Sequence, residues 1–328
     1  MAMRILKPLD TARWAILDGA RRASRRWLGQ LVWSTIGEIA LTTDQMAVAY
    51  TRADLDPATI PAIGPRYAFQ RATTALAAER LPQDDGTRLN ILVRPIKETD
   101  GQVLRGVVEE RVDSGDKRLT YTTVAHLLWT ADDPDTASVI AATGLASPSP
   151  DTLARLTELD ALFAQARVTF NGRAIRDLVA RLLEHTHPVS VRRGGGVIFV
   201  PQDHALVVQQ YTRLVEAFRD LSGHDGTEAY AVPVINRDTQ RLMVKRAAQS
   251  DIRNQLDALF DKCAAWIAHP DQRVFRRSVT DALATVARLN SMIATYEQLT
   301  EDQLVELRTR ATQVASLVGQ VALRVDID

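Results

Sequence analysis

The chain is short of the residues and motifs that usually announce chemistry. It has one cysteine, Cys263. No intramolecular disulfide can therefore form, and no cysteine-based zinc site can be complete. A reducing, cytoplasmic setting fits that usage. Its 40 basic and 40 acidic residues cancel. That balance excludes a strongly basic nucleic-acid coat or an acidic tail as the whole molecule, but leaves room for local patches. No apolar run approaches the roughly 18–20 residues that cross a bilayer. The opening MAMRILKPLDTARW lacks the apolar stretch of a secretory signal. Gly-x-Ser-x-Gly, His-Glu-x-x-His and Gly-x-Gly-x-x-Gly are all missing. Gly194-Gly195-Gly196 has no Lys-Ser/Thr after it and leads into a strand, so it is no phosphate loop.

What is present is an ordinary globular composition, 46% hydrophobic and 24% charged, over 328 residues. That length allows two or three domains. Residues 1–30 carry seven Lys/Arg against two Asp, a net of +5, and read as a basic N-terminal segment. Leu31–Ile36 reads as a short buried strand, and helices are expected from about Gln45 to Ala53 and from Arg66 to Glu79. Three β-rich runs follow, at 89–94, 102–112 and 118–129. Thr99-Asp100-Gly101 and Asp113–Asp116 separate them, which is the pattern of an antiparallel meander. Ala146–Pro150 reads as a linker, so an α+β domain is expected over 31–146.

Beyond it, helices are expected at 151–166 and 172–184. A Gly-turned hairpin at 187–201, a helix from Asp203 to Leu221 and a strand at 229–235 follow, making a helix/β-hairpin domain over 151–235. Residues 236–328 read as helical with a heptad-like seam: Ile252, Leu256, Leu259, Cys263, Trp266, then Val279, Leu283, Val286, Asn290, Ile293, then Leu304, Leu307, Ala311, Val314, Val318, Val321. Asn290 on that seam would fix register, and Thr300–Gln303 reads as a capping box. Cys263 on the seam reads as a packing residue rather than a nucleophile.

Leu28–Trp33, Tyr67–Thr73 and Gly194–Pro201, with Ala-Phe-x-Arg-Ala-Thr and Gly-Gly-Val-x-Phe-Val-Pro inside the last two, together resemble an uncharacterised family of actinobacterial and phage or plasmid proteins. That family is a domain of unknown function, and the resemblance covers roughly residues 28–265. It implies a bacterial host and a mobile-element origin, and brings no activity, cofactor or catalytic residue.

The fold class expected is α+β. It comprises a small antiparallel sheet with helices, a winged-helix-like helix-plus-hairpin unit, and a C-terminal antiparallel coiled-coil-like helical region. The first functional reading is a non-enzymatic interaction or scaffold protein that forms homo-oligomers through Leu304, Leu307, Val314, Val318 and Val321. The second is a partner of double-stranded DNA. Arg192 and Arg193 would act on the wing, Arg173 and Arg176 on the preceding helix, and Arg21, Arg22, Arg25 and Arg26 in the basic segment. The third is a metalloenzyme whose site these motifs miss. His185, His187, Asp203 and His204 could converge across the hairpin, although Asp203 is better explained as a helix cap. Asp84-Asp85 and Asp132–Asp135 read as acidic turns. No catalytic set, metal site or cofactor is expected.

Overall fold

The structure is a computed structural model that describes residues 26–113, 115, 117–140, 145–192, 195–269 and 274–325. In chain order its elements begin with β1 (Trp27–Thr35), β2 (Ala40–Thr42), α1 (Thr43–Arg52), α2 (Pro65–Ala75) and β3 (Ala78–Pro82). The meander strands β4 (Arg88–Glu98), β5 (Gln102–Val112) and β6 (Arg118–Thr130) follow, then β7 (Ser138–Ile140). Next come α3 (Pro150–Thr157), α4 (Leu159–Val168), β8 (Thr169–Asn171), α5 (Gly172–Glu184), β9 (Val189–Ser190) and β10 (Ile198–Pro201). The chain ends with α6 (Ala205–Ser222), β11 (Glu228–Ile235), α7 (Asp238–Ala268), α8 (Arg276–Thr300) and α9 (Val305–Val325). This is a mixed helix-and-sheet fold with small antiparallel sheets and its longest helices at the C-terminal end.

Contacts divide the chain into two compact units. One takes the described residues of Ala40–Val48 and Asp56–Arg173. Its centre is a five-stranded antiparallel sheet in the order β3-β4-β5-β6-β7. The expected meander is β4–β6, and the edge strands β3 and β7 extend it. One face of the sheet, carrying Leu89, Ile91, Val103, Val107, Leu127 and Trp129, packs on Phe69, Ala72 and Leu76 of the α2 region. Leu156, Leu159, Phe163 and Ala166 of α3 and α4 bury in the same core, with Phe69 and Phe163 edge to face at 6.2 Å between centroids. The linker before α3 therefore fastens to the sheet: the Ser149 amide donates to Glu109 Oε1 at 2.7 Å. The Ser149 hydroxyl caps α3 by accepting from the Thr152 amide. The single helix expected at 151–166 is two, broken at Glu158. Arg105 comes off this inner sheet face and donates to Gln70 O, Thr73 Oγ1 and Thr74 Oγ1. A cation there satisfies the carbonyl end of α2, where the helix dipole is negative.

The other unit takes the described residues of Met1–Ile39, Ala49–Leu55 and Ala174–Asp328. β1 and β10 are the inner strands of a four-stranded antiparallel sheet ordered β11-β1-β10-β9. The hairpin β9–β10 is thus the edge of a sheet and no free-standing wing, because β1 lies between it and β11. The reason is apolar: Val189 and Phe199 of the hairpin are fully buried against the C-terminal helices, together with Leu28 and Val234. α6 packs on β1 as well, its Tyr211 hydroxyl donating to Ser34 Oγ at 2.6 Å. It ends at Gly223 with φ +67°, a left-handed cap that glycine adopts without strain.

The three last helices form an up-down-up bundle. Arg241 bonds Glu301 at 2.9 Å, Arg253 bonds Glu306 at 2.7 Å, Arg310 bonds Asp257 at 2.9 Å, and Arg324 reaches the Trp266 carbonyl at 3.5 Å. Those pairs advance together, so α7 and α9 run parallel while α8 returns between them. The core follows the expected seam on α7 and α9, including Cys263, which is fully buried. On α8 the seam is rotated. Ala282, Val286, Leu289, Met292, Ile293 and Tyr296 face inward, whereas Leu283 is 48% exposed and Asn290 is exposed. Asn290 therefore fixes no register. Neither does Thr300–Gln303 form a capping box: Thr300 ends α8 with its hydroxyl on the Tyr296 carbonyl, and Glu297 accepts from the Leu304 amide instead.

Candidate binding face of the five-stranded sheet

The second face of the five-stranded sheet is built by the strand period of two. Strand β4 puts Arg88, Asn90, Leu92 and Arg94 on it, and the pairing register continues each across the sheet. The cross-strand rows are Arg88–Val112–Arg118, Asn90–Glu110–Tyr121, Leu92–Val108–Thr123 and Arg94–Gly106–His126. Two basic rows thus border two rows of polar and apolar residues. Arg88 and Arg94, six residues apart in one strand, stand about 20 Å from each other at a rise of roughly 3.3 Å per residue. On this face lies an open depression of about 530 Å³ lined by Glu79, Arg80, Asn90, Leu92, Arg94, Glu110, Val112 and Arg118.

The charges in it are unevenly committed. Glu110 accepts from Asn90 Nδ2 at 3.0 Å and from Arg118 Nε at 2.6 Å. Those two hydrogen bonds, with the Arg118 and Arg94 charges, hold its carboxyl below the usual carboxylate range. The Arg118 guanidinium also lies over the exposed Tyr121 ring, 4.8 Å from its centroid. Arg94 is exposed and has no hydrogen-bond or ion-pair partner among the described residues. The one carboxylate of the four rows is neutralised from within, so Arg94 leaves the face positive. What such a surface can do chemically is hold anionic groups at its borders and an uncharged flat body on Leu92 and Tyr121 between them.

Of the residues named from the sequence for DNA contact, those that are described lie off this face. Arg21, Arg22, Arg25 and Arg193 fall outside the described residues. Arg26 is exposed at the start of β1, 5.7 Å from the Trp27 ring centroid. Arg176 is turned back on the chain, donating to the Ile36 carbonyl at 3.0 Å and to Glu38 at 3.4 Å. Arg192 is exposed beside the hairpin turn, and Arg173 is exposed in the other compact unit. The five residues named as an interface between copies, Leu304, Leu307, Val314, Val318 and Val321, are each no more than 2% exposed. They are consumed inside the chain's own bundle, and a contact between copies through them would require that bundle to open.

Of the four residues that could converge on a metal, two meet. His187 and His204 stand edge to face with centroids 6.3 Å apart. His187 Nδ1 lies 3.1 Å from Thr295 Oγ1, and its carbonyl accepts from the Tyr296 hydroxyl at 2.8 Å. No group of three or more His, Cys, Asp or Glu placed to hold a metal occurs among the described residues. Burial, then His204 and Arg288, push the His187 imidazole below its ordinary value. A base with a depressed folded pKa stabilises the fold above its unfolded value, about 6.5, and loses that contribution as pH falls through the folded value. The melting temperature is therefore expected to drop between pH 7.5 and 5.5. His187→Asn, which tolerates the φ of +53° found here, should flatten that drop in parallel thermal melts. An unchanged pH slope in the variant would contradict the assignment.

The molecule so described is a mixed α/β protein with a helical-bundle unit and a meander unit whose second face is open and basic. A model of a family of unknown function (DUF6744) matches residues 27–327, and the chain belongs to that family. The match runs through all three C-terminal helices, beyond the extent of the resemblance carried by the motifs. No curated protein and no solved structure matches the chain. Among the described residues no helix is long and apolar enough to cross a membrane.

Proposed function

We propose that this protein is a non-enzymatic interaction protein whose working surface is the open face of the five-stranded sheet, and that its partner is polyanionic. The observation that carries the reading is the pairing register. It sets Arg88, Arg94 and Arg118 on one face of the β4–β6 strands, around the Glu110 carboxylate, which Asn90 and Arg118 already engage. Charge of that kind attracts a polyanion through many weak, salt-screened contacts. The reading keeps the expectation of an interaction protein but moves the contact surface from the C-terminal seam to the sheet.

Heparin serves as a probe of bare polyanion affinity. The full chain should be retained on immobilised heparin at low salt and released as salt rises. Arg94→Glu should elute several-fold earlier in the salt gradient with an unchanged circular dichroism spectrum. Arg173→Glu combined with Arg192→Glu should elute close to wild type. Loss of retention in the second variant and not in the first would move the surface to the hairpin and restore the DNA-wing reading. Absence of salt-sensitive retention in the wild type would remove the proposal.

A further inference from the structure

The geometry points to a single-stranded nucleic acid as the polyanion, with phosphates at the two arginine rows and a base against Tyr121. This inference rests on the reading above and goes beyond it, because a phosphate-only contact needs nothing but the cations. The face has more than cations. Between the Arg88–Arg118 row and the Arg94–His126 row it presents the exposed Tyr121 ring and the half-buried Leu92, which lines the open depression of about 530 Å³.

An apolar floor and a ring give no advantage toward sulfate or phosphate groups alone. They do match the flat faces of bases, which stack on aromatic side chains whatever their identity. A duplex hides those faces inside its own stack and offers a sheet only its backbone and groove edges. A single strand exposes base and phosphate together, and an antiparallel sheet face is a surface on which it can lie extended. The Arg118 guanidinium over one side of the Tyr121 ring fixes the ring and adds a cation to the stack, leaving its other side for a base.

The test is fluorescence anisotropy of the full chain with a labelled 20-nucleotide mixed-sequence single strand, in competition with the same sequence as duplex and with heparin. The single strand is expected to bind more tightly than the duplex at equal salt. Tyr121→Ala should weaken single-strand binding by about tenfold or more, the range that loss of one stacked base produces. Tyr121→Phe should restore it, and heparin retention of both variants should match wild type. Arg94→Ala should weaken the single strand and heparin alike. Equal affinity for single strand, duplex and heparin with no effect of Tyr121→Ala would overturn the inference while leaving the polyanion reading standing. No salt-sensitive binding to any of the three would overturn both.

Discussion

Val314→Asp is expected to abolish the cooperative unfolding transition of the helical bundle while leaving no smaller oligomer to detect. Val314 is 0% exposed, on the face of α9 that packs into the α7–α8 core beside Leu307, Ala311 and Val318. An aspartate there must either bury a charge or be held protonated without a hydrogen-bond partner. Either costs about 3–5 kcal/mol, added to the lost packing of the valine. Domains of this kind have a total stability of roughly 5–15 kcal/mol, so one such change removes much or all of the margin. Leu283→Asp is the matched control. The heptad reading puts Leu283 on the seam, but its 48% exposure lets an aspartate reach water, and the melting temperature should move little. Thermal melts by circular dichroism, with light scattering on the same samples, separate the accounts. A folded Val314→Asp protein of reduced mass would mean that the seam joins copies.

The second large effect is expected from one methyl group. Gly29 lies in β1, paired with both β10 and β11. A Cβ added there would sit 2.1 Å from the Val200 carbonyl oxygen and 2.7 Å from the Phe199 ring. The oxygen belongs to the backbone of a neighbouring strand, and Phe199 is wholly buried, so neither can move aside cheaply. Gly29→Ala should cost about 3 kcal/mol, the upper end for overpacking a dense core, and more if β10 detaches. Gly101→Ala, with open space around it and ordinary backbone geometry, should be near neutral. Chemical denaturation of the two variants side by side reads the difference. Equal midpoints would mean that β10 does not lie against β1 as described.

The sequence made local structure legible and long-range assembly much less so. The meander was readable because alternation and the Thr99–Gly101 and Asp113–Asp116 turns are local signals. The helices of the bundle were readable from spacing alone. The rotation of the α8 seam was not, because alanine is a weak marker of a buried face. Ala282 and Leu289 face inward where Leu283 and Asn290 fitted the heptad equally well. The break at Glu158 was hidden within a continuous helical pattern. β3 was hidden the same way: the helix expected from Arg66 to Glu79 stops at Ala75, and the chain turns into a strand from Ala78 with Arg80 at φ +57°.

The sheet that unites 27–35, 198–201 and 228–235 depends on pairings across more than 160 residues, to which no local period points. Locally, the hairpin looked like a wing because its buried neighbours lie far away in sequence. The arginine face was within reach of the sequence. Arg88-x-Asn90-x-Leu92-x-Arg94 alternates with the apolar Leu89, Ile91 and Val93, so the period of two already assigns the arginines to the face away from the core. Runs of adjacent basic residues do not mark it, since a sheet collects its charge across strands.

Arginine-selective labelling with phenylglyoxal, mapped by peptide mass spectrometry with and without bound heparin, reads the proposed surface directly. Protection of Arg94 and Arg118, with Arg173 and Arg192 labelled equally in both states, is the result expected. Protection of Arg173 and Arg192 with Arg94 left reactive would contradict the account and return the contact to the hairpin.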